Sequence, residues 1–325
     1  MLQTAAEKKL DRHAKPCKKR GAQSVRANRR LIFYTVGIAL PILQFCIFYI
    51  GVNFNSILLS FQKYNYFSEA AGKYSFAGLD NFKAIFSDFK EYVWLRKSVG
   101  HSFQMFGFSL AGIAFSLLFS FYIYKKYLGN DFFRTVLFLP QVISAIIMVT
   151  LYKYFVENCI PAVWEKVSGV KITGLLSSVS MQQTFYVIIF YCVFSSFGTQ
   201  VLLFSGAMSG IPESVTEAAQ LDGVTPLKEF VKITVPMIFS NVTTFVVVAV
   251  AGIFTHQMNL YGFYGSKAEY QLYTIGYYLY KGAQTGSRAD YPYYAAFGLL
   301  LTVISVPLTM GAKKLLEKFG SGSNR

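Results

Sequence analysis

Polar and apolar residues segregate along this chain into long blocks instead of alternating at short period. Six blocks are apolar, at residues 31–52, 102–124, 135–155, 184–205, 237–261 and 293–312. Runs of roughly 18 or more apolar residues mark transmembrane helices, because a helix needs about 20 residues to cross the hydrocarbon core. Pro41 and Pro140 fall inside the first and third blocks, where a membrane helix tolerates proline if neighbouring groups satisfy the freed carbonyl. The expected fold class is therefore all-α integral membrane, with six transmembrane helices. Between the first two blocks, Phe82, Ile85, Phe86, Phe89 and Val93 recur at helical spacing beside Trp94. That spacing predicts a helix lying along the membrane surface or packed on the spans. The stretch 156–183, which holds Trp164, is polar enough to be expected outside the membrane.

A polar, helix-prone island interrupts the apolar pattern at residues 211–238, IPESVTEAAQLDGVTPLKEFVKITVPMI. Ser214 has Glu217 three residues on, the spacing of a capping box, which predicts a helix start at Ser214. Ala218, Ala219 and Leu221 give this short helix a small, closely approachable face. Gly223 follows, suited to the left-handed turn that ends a helix. Pro226 fits the first turn of a second short helix, which Leu227, Phe230, Val231 and Ile233 make amphipathic. Pro236 closes the island and opens the next apolar helix. The island reads as helix, tight turn, helix, presented at a membrane surface.

Composition agrees with the blocks. The chain of 325 residues is 54% hydrophobic, 18% aromatic and only 14% charged. A soluble domain carries about a quarter charged residues. The formal charge of +15 would suit a nucleic-acid binder, but the basic residues sit at the chain ends and in loops between apolar blocks. That distribution is topological, and no nucleic-acid partner is expected. The positive-inside rule puts the basic tail at 1–30, the 125–134 loop and Lys313, Lys314 and Lys318 in the cytoplasm. Six crossings from a cytoplasmic N-terminus put 211–238 there as well, so both termini and the island are expected inside. The first block is too long for a signal-peptide core, so it is expected to remain as an uncleaved span. The resulting division is a basic cytoplasmic tail (1–30), a six-span domain (31–312) and a C-terminal cytoplasmic tail (313–325). Cys17, Cys46, Cys159 and Cys192 form no CxxC pair and read as small hydrophobes.

Catalytic signatures are missing. There is no phosphate-binding GxxxxGK[ST] loop, no HExxH or Cys/His metal set, and no assembled Ser/His/Asp group. No catalytic residue, metal or cofactor is assigned to this chain. Polar residues inside spans are few: Ser195, Ser196, Thr199 and Gln200 in the fourth, and Asn241, Thr243, Thr244, Thr255, His256, Gln257 and Asn259 in or just beyond the fifth. Such groups are costly in lipid unless they hydrogen-bond between helices or line a hydrated path. Both readings stay open. GAMSG at 206–210 also fits a GxxxG packing face.

The island itself carries a resemblance. EAAQLDG followed by ITVP resembles the EAA loop of permease subunits of ATP-binding-cassette importers. Glu217, Ala218, Ala219 and Gly223 match its core, and Ile233 and Pro236 match its trailing I-x-x-P. IPES, FAGLDNF at 76–82 and FFRTVLFLP at 132–140 are similar to the carbohydrate branch, of the maltose-permease type, and the resemblance covers most of residues 30–318. It implies a subunit in the bacterial cytoplasmic membrane that forms half of a sugar path. Its EAA loop would dock as a coupling helix on an ATPase through Glu217, Ala218, Ala219, Asp222 and Gly223. The partners implied are a second permease, two cytoplasmic ATPases that bind ATP and Mg, an extracytoplasmic solute-binding protein, membrane lipid and a sugar. By family position the path would include Ser196, Thr199, Gly252 and His256. One departure is the Tyr-rich stretch LYGFYGSKAEYQLYTIGYYLYKG at 260–282, which lacks the family's Gly-Gly-Pro turn. Competing readings are importers of glycerol phosphate esters or amino acids, an ATP-independent secondary transporter, and a membrane enzyme. A secondary transporter would carry an internal repeat or intramembrane charges. A membrane enzyme would carry a convergent nucleophile or metal set.

Overall fold

Apolar runs this long fold as helices because lipid offers no partner for a free backbone N–H or C=O. The computed structural model describes residues 20–66, 73–177 and 180–321, the side chains of 20–30 and 321 excepted. Within the expected basic tail, residues 1–19, including Cys17, lie outside the described residues. The chain divides into two compact units, Met1–Leu58 and Leu59–Arg325. The division falls inside what the sequence presents as one six-span domain.

The described part of the first unit is a helical rod. Helix α1 (Arg20–Gln44) contains Pro41, continues as a wider π segment (Phe45–Gly51) and resumes as α2 (Val52–Ser60). Proline removes one rung of the hydrogen-bond ladder, and the change of winding follows it. Asn53 Nδ2 donates to Tyr49 O and Ser56 Oγ to Val52 O, so these two polar side chains are satisfied within the rod. Every residue from 31 to 58 is exposed, as suits a helix apolar on all sides whose surroundings are lipid.

In the second unit a two-stranded antiparallel ribbon, β1 (Gln62–Tyr64) and β2 (Tyr74–Phe76), precedes α3 (Asp80–Glu91). Asn81 Nδ2 donates to both Ser60 O and Gln62 O at 2.8 Å and fixes the start of α3. Ile85 is fully buried, Phe89 meets Phe297 edge-on at 5.7 Å, and Asp88 accepts from Tyr293 Oη at 2.6 Å. Packing on neighbouring helices therefore decides the place of α3, while Phe86 stays exposed.

Helices α4 (Val93–Tyr124), α5 (Asn130–Val142), α6 (Ala145–Tyr154), α7 (Ile160–Ser168) and α8 (Met181–Met208) follow. The expected third span, 135–155, is broken at residues 143–144, where Ile143 turns extended just after Pro140. Its second half runs on through a π segment into α7, so much of 156–183 is helical and Ala145–Ser168 is long and apolar enough to cross a membrane. That corrects the expectation of a polar loop there. Within that stretch Glu157 turns its carboxylate onto Leu176 N, Ser177 N and Ser177 Oγ at 2.7–2.8 Å.

The island forms α9 (Glu213–Leu221), α10 (Pro226–Glu229), a π segment (Phe230–Thr234) and α11 (Val235–Met237). A bend of 75° separates it from α12 (Phe239–Ala251), so the next apolar helix begins after Pro236, at Phe239. Next come α13 (Leu260–Tyr264), α14 (Ile275–Thr285) and α15 (Tyr291–Ser321). Helix α15 continues past residue 312, so the described part of the expected C-terminal tail is helical. Among the described residues five helices can span a membrane, or six if the bent pair Pro226–Met237 and Phe239–Ala251 is one span.

Helices α4 and α8 form the main internal pair. Ser120 Oγ donates to Val201 O, and Ser116 Oγ to Gln200 Oε1, both at 3.1 Å. For Gln200 the interhelical reading thus holds. Helix α5 crosses α8 at Gly198, where a Cβ would lie 2.1 Å from Leu137 O. Only glycine permits that approach.

Candidate functional site

Between α4, α5, α8 and α12 lies a cavity of about 510 Å³. Helix α8 contributes Cys192, Ser195, Ser196, Thr199 and Gln200 at intervals of one to four residues, a single helical stripe. From α4 come Ser102 and Ser109 with Met105 and Phe106; from α5, Gln141; from α12, Phe245, Val248 and Ala249. The four residues placed on the path from sequence, Ser196, Thr199, Gly252 and His256, all line it.

The fifth span supplies the cavity's irregular wall. Helix α12 stops at Ala251 and residues 252–259 are unwound before α13 begins. Met258 and Asn259 both adopt left-handed backbone, with φ of 52° and 53°, an arrangement that costs non-glycine residues energy and persists where surroundings hold it. The holding groups are present. His256 Nδ1 accepts from Met258 N at 3.1 Å, and His256 O accepts from Thr274 Oγ1 at 2.9 Å. Thr274 in turn caps α14 by accepting from Tyr277 N. Non-helical backbone at membrane depth occurs where it is buried in protein or lines a hydrated cavity, and here it lines one. Because Nδ1 accepts, Nε2–H is the donor of the neutral His256 ring.

Gln141 joins two walls. Its Nε2 donates to Ser195 O at 2.6 Å and its Oε1 accepts from Thr199 Oγ1 at 2.7 Å. Ser196 Oγ donates back to Cys192 O at 3.0 Å, leaving its lone pairs for a ligand. The lining contains no Asp, Glu, Lys or Arg. Hydroxyls, amides, one imidazole and the apolar faces of Phe106, Phe245 and Val248 make a surface for a polar, uncharged solute with some apolar area. Sequence reasoning named Ser195, Gln200 and Asn259 only as polar span residues and missed Gln141 and Ser102. The available signal for Gln141 was a carboxamide directly after Pro140 in an apolar block.

Closer to the N-terminal ends of α4 and α8, a second cavity of about 310 Å³ is lined by Lys97, His101, Gln104, Gln182 and Gln271 with Phe185. His101 stacks near Phe185 at 4.2 Å and its Nδ1 lies 3.0 Å from Tyr273 O.

The island is built around one turn. Pro212, with extended ψ, holds the N-cap position of α9, so Ser214 lies inside the helix and caps nothing. That corrects the capping-box expectation. At the other end Val224 N donates to Ala219 O and Gly223 N to Gln220 O, both at 3.0 Å, with Gly223 at φ 66°. This is the double bond pattern of a Schellman ending, in which glycine avoids the Cβ penalty. Glu217, Ala218, Asp222 and Gly223 are exposed, while Ala219 is buried against the bundle. Leu221 is 89% exposed and Leu227 68%. Two acidic groups, Glu217 and Asp222, and two exposed leucines thus stand at a turn held by backbone hydrogen bonds. Beneath it Ile211, Phe230 and Ile238 pack with Phe121 of α4 and Phe204 and Met208 of α8.

Residues 112–319 match the family described as binding-protein-dependent transport system inner membrane component. The probable ABC transporter permease protein YurN of Bacillus subtilis is 25% identical over 85% of this chain and 94% of its own length. The multiple sugar-binding transport system permease protein MsmF of Streptococcus mutans is 22% identical over 76% of this chain and 83% of its own. A bacterial alginate ABC transporter, solved in complex with an alginate pentasaccharide-bound periplasmic protein, has a chain that superposes with TM-score 0.74 at 18% identity. That match covers 90% of this chain and 96% of the other.

Proposed function

The chain belongs to the binding-protein-dependent transport system inner membrane components, and on that premise we propose that it is one permease half of an ATP-driven importer for an uncharged sugar or oligosaccharide. The observation that carries the solute class is the neutral, hydroxyl- and amide-rich lining of the 510 Å³ cavity. A phosphate ester or an amino acid carries full charge, and a site at membrane depth would answer it with a cation or an oriented charge pair. A sugar presents hydroxyls to Thr199, Gln141 and His256 and a carbon-rich face to Phe106 and Phe245. Ser196 and Gly252 complete the wall along which it passes.

In this reading α9 and its Gly223 turn form the coupling helix, seated with Glu217, Ala218, Ala219 and Asp222 against a separate cytoplasmic ATPase. That ATPase binds ATP and Mg; this chain holds neither. A second permease closes the open side of the cavity, and an extracytoplasmic solute-binding protein delivers the sugar. ATPase closure then moves the island, and the spans joined to it, as rigid bodies. Both chain ends and the island face the cytoplasm.

The test is a reconstituted complex assayed for uptake and for solute-stimulated ATP hydrolysis. His256→Ala and Thr199→Ala are expected to raise the half-saturating solute concentration about tenfold each, the weight of one hydrogen bond to a buried polar group. Unchanged stimulation in both variants removes the cavity from the path. Stimulation by a phosphate ester or amino acid, and by no sugar, overturns the solute class.

A further inference from the structure

Helix α4 ends at Tyr124, and Lys125 follows as its C-cap, a position where the helix dipole favours a cation. Its ammonium lies 2.5 Å from Oε1 of Glu229, the last residue of α10. Both groups are withdrawn from solvent: the side chain of Lys125 is 15% exposed and that of Glu229 only 4%. Apart from that ammonium, Glu229 Oε1 has no donor among the described residues, so Lys125 is the group that answers its charge. Lys125 Nζ also stands 5.7 Å from the Phe121 ring and 5.8 Å from Tyr124. The next residue, Phe230, meets Phe121 at 5.1 Å. The joint between α10 and α4 is therefore one buried charge pair set beside one aromatic contact.

We propose that the Lys125–Glu229 pair is the lock that makes the island and α4 move together, so that a push on α9 reaches the cavity wall. This rests on the reading of α9 as the coupling helix. Two features support a positioning role. A buried pair is costly to assemble and, once assembled, costly to break, because removing one partner strands the other charge away from water. An apolar contact alone lets two helices slide; the charge pair fixes their register. Moreover, α4 is unbroken from Lys125 back to Ser109 and Ser102, which line the cavity. The island is thus tied to the site through an unbroken helix, about 24 Å to Ser109 and about 35 Å to Ser102. Lys125 and Glu229 do not line the cavity, and their effect is on coupling, not on solute recognition.

The experiment uses the whole reconstituted importer. Glu229→Gln and Lys125→Met are compared with the exchange variant Lys125→Glu/Glu229→Lys, and uptake per ATP hydrolysed is measured together with the half-saturating solute concentration. Each single variant is expected to lose at least tenfold in uptake per ATP, with the half-saturating concentration unchanged within twofold. The exchange variant is expected to recover at least a third of wild-type coupling. Single variants that couple like wild type overturn the proposal, and so does an exchange variant that stays as poor as the singles. If the single variants fail to assemble, recovery of assembly and coupling by the exchange remains the deciding result. Failure of the underlying reading is distinct: the wild-type preparation would contain no ATPase subunit, before any variant is compared.

Discussion

Replacing Gly198 by alanine tests the architecture of the cavity with one methyl group. An added Cβ would lie 2.1 Å from Leu137 O and 3.1 Å from Leu137 C, against backbone that cannot swing aside. Ordinary carbon–oxygen contact is about 1 Å longer than the first distance, so α5 and α8 must separate by about that much. The bonds from Gln141 to Ser195 O at 2.6 Å and from Thr199 to Gln141 at 2.7 Å cross this same interface, a turn or less from the glycine. An opening of about 1 Å takes both beyond hydrogen-bond range. Overpacking costs roughly 1–3 kcal/mol and each lost bond about 1 kcal/mol, for a total of about 3–5 kcal/mol. The purified complex should then unfold several degrees lower, and the half-saturating solute concentration should rise at least tenfold. Gly206→Ala on the same helix is the control, since nothing lies within 4 Å of its Cβ position. It should be neutral or slightly stabilising, as alanine is the better helix former. A Gly198→Ala complex with wild-type melting and wild-type solute dependence would refute the reasoning about this crossing.

Other outcomes follow from single contacts. Gln141→Leu keeps the volume but unpairs the Thr199 hydroxyl, and should weaken solute-stimulated ATP hydrolysis about tenfold in half-saturation while leaving basal hydrolysis intact. Gly223→Asp and Glu217→Lys should abolish co-purification of the ATPase, whereas Gly223→Ala, strained by about 1 kcal/mol at φ 66°, should only weaken it; retention of the ATPase by both charge variants in a pull-down excludes α9 from docking. Glu157→Ala orphans the N–H of buried Leu176, at roughly 1–3 kcal/mol, and leaves that of exposed Ser177 to water, and should speed proteolysis of the stretch before α8; Glu157→Gln, which keeps an acceptor, should be milder.

Block hydropathy located most of the candidate spans because it tracks the one quantity a bilayer selects, apolar length, but it put the third at 135–155 where Ala145–Ser168 is the long apolar helix. It cannot register where a backbone stops being helical inside an apolar run. The unwound 252–259 segment is held by a distant partner, Thr274 onto His256 O, which no local pattern contains, and the break at residues 143–144 likewise interrupts a run that reads as uniformly apolar. Likewise the spacing of Ser214 and Glu217 satisfied a capping box, yet Pro212 occupied the cap first and shifted the helix start. The Gly223 turn was legible because its requirement, a residue free of Cβ at positive φ, is local. Phe86 was misleading for the opposite reason: it matches the apolar face of α3 by spacing, but the neighbouring helices cover only Phe82, Ile85 and Phe89. Ser196, Thr199, Gly252 and His256 came from the resemblance, and Gln141 escaped because the matched FFRTVLFLP ends one residue before it.

In the proposed coupling, the island's position in the chain is what would let a turn remote from the cavity govern it. It is spliced between α8 and α12, which together with the unwound segment after α12 carry most of the cavity's lining, and its apolar underside shares one buried cluster with α4 and α8. Phe230 and Ile238 from the island meet Phe121, Phe204 and Met208, so a shift of the island cannot be absorbed by loop slack. The 75° bend at residue 238 turns a push along α10 and α11 into rotation at the start of α12. At the other end of α12 the helix has already given way to unwound backbone, which can accept a new angle without breaking a ladder. The Ser196–Thr199 stripe moves with α8, Ser102 and Ser109 move with α4, and His256 rides on the unwound segment anchored to Thr274. A cavity whose walls belong to separately driven elements can open and close around an uncharged solute held by hydrogen bonds alone, because releasing it leaves no unpaired charge at membrane depth.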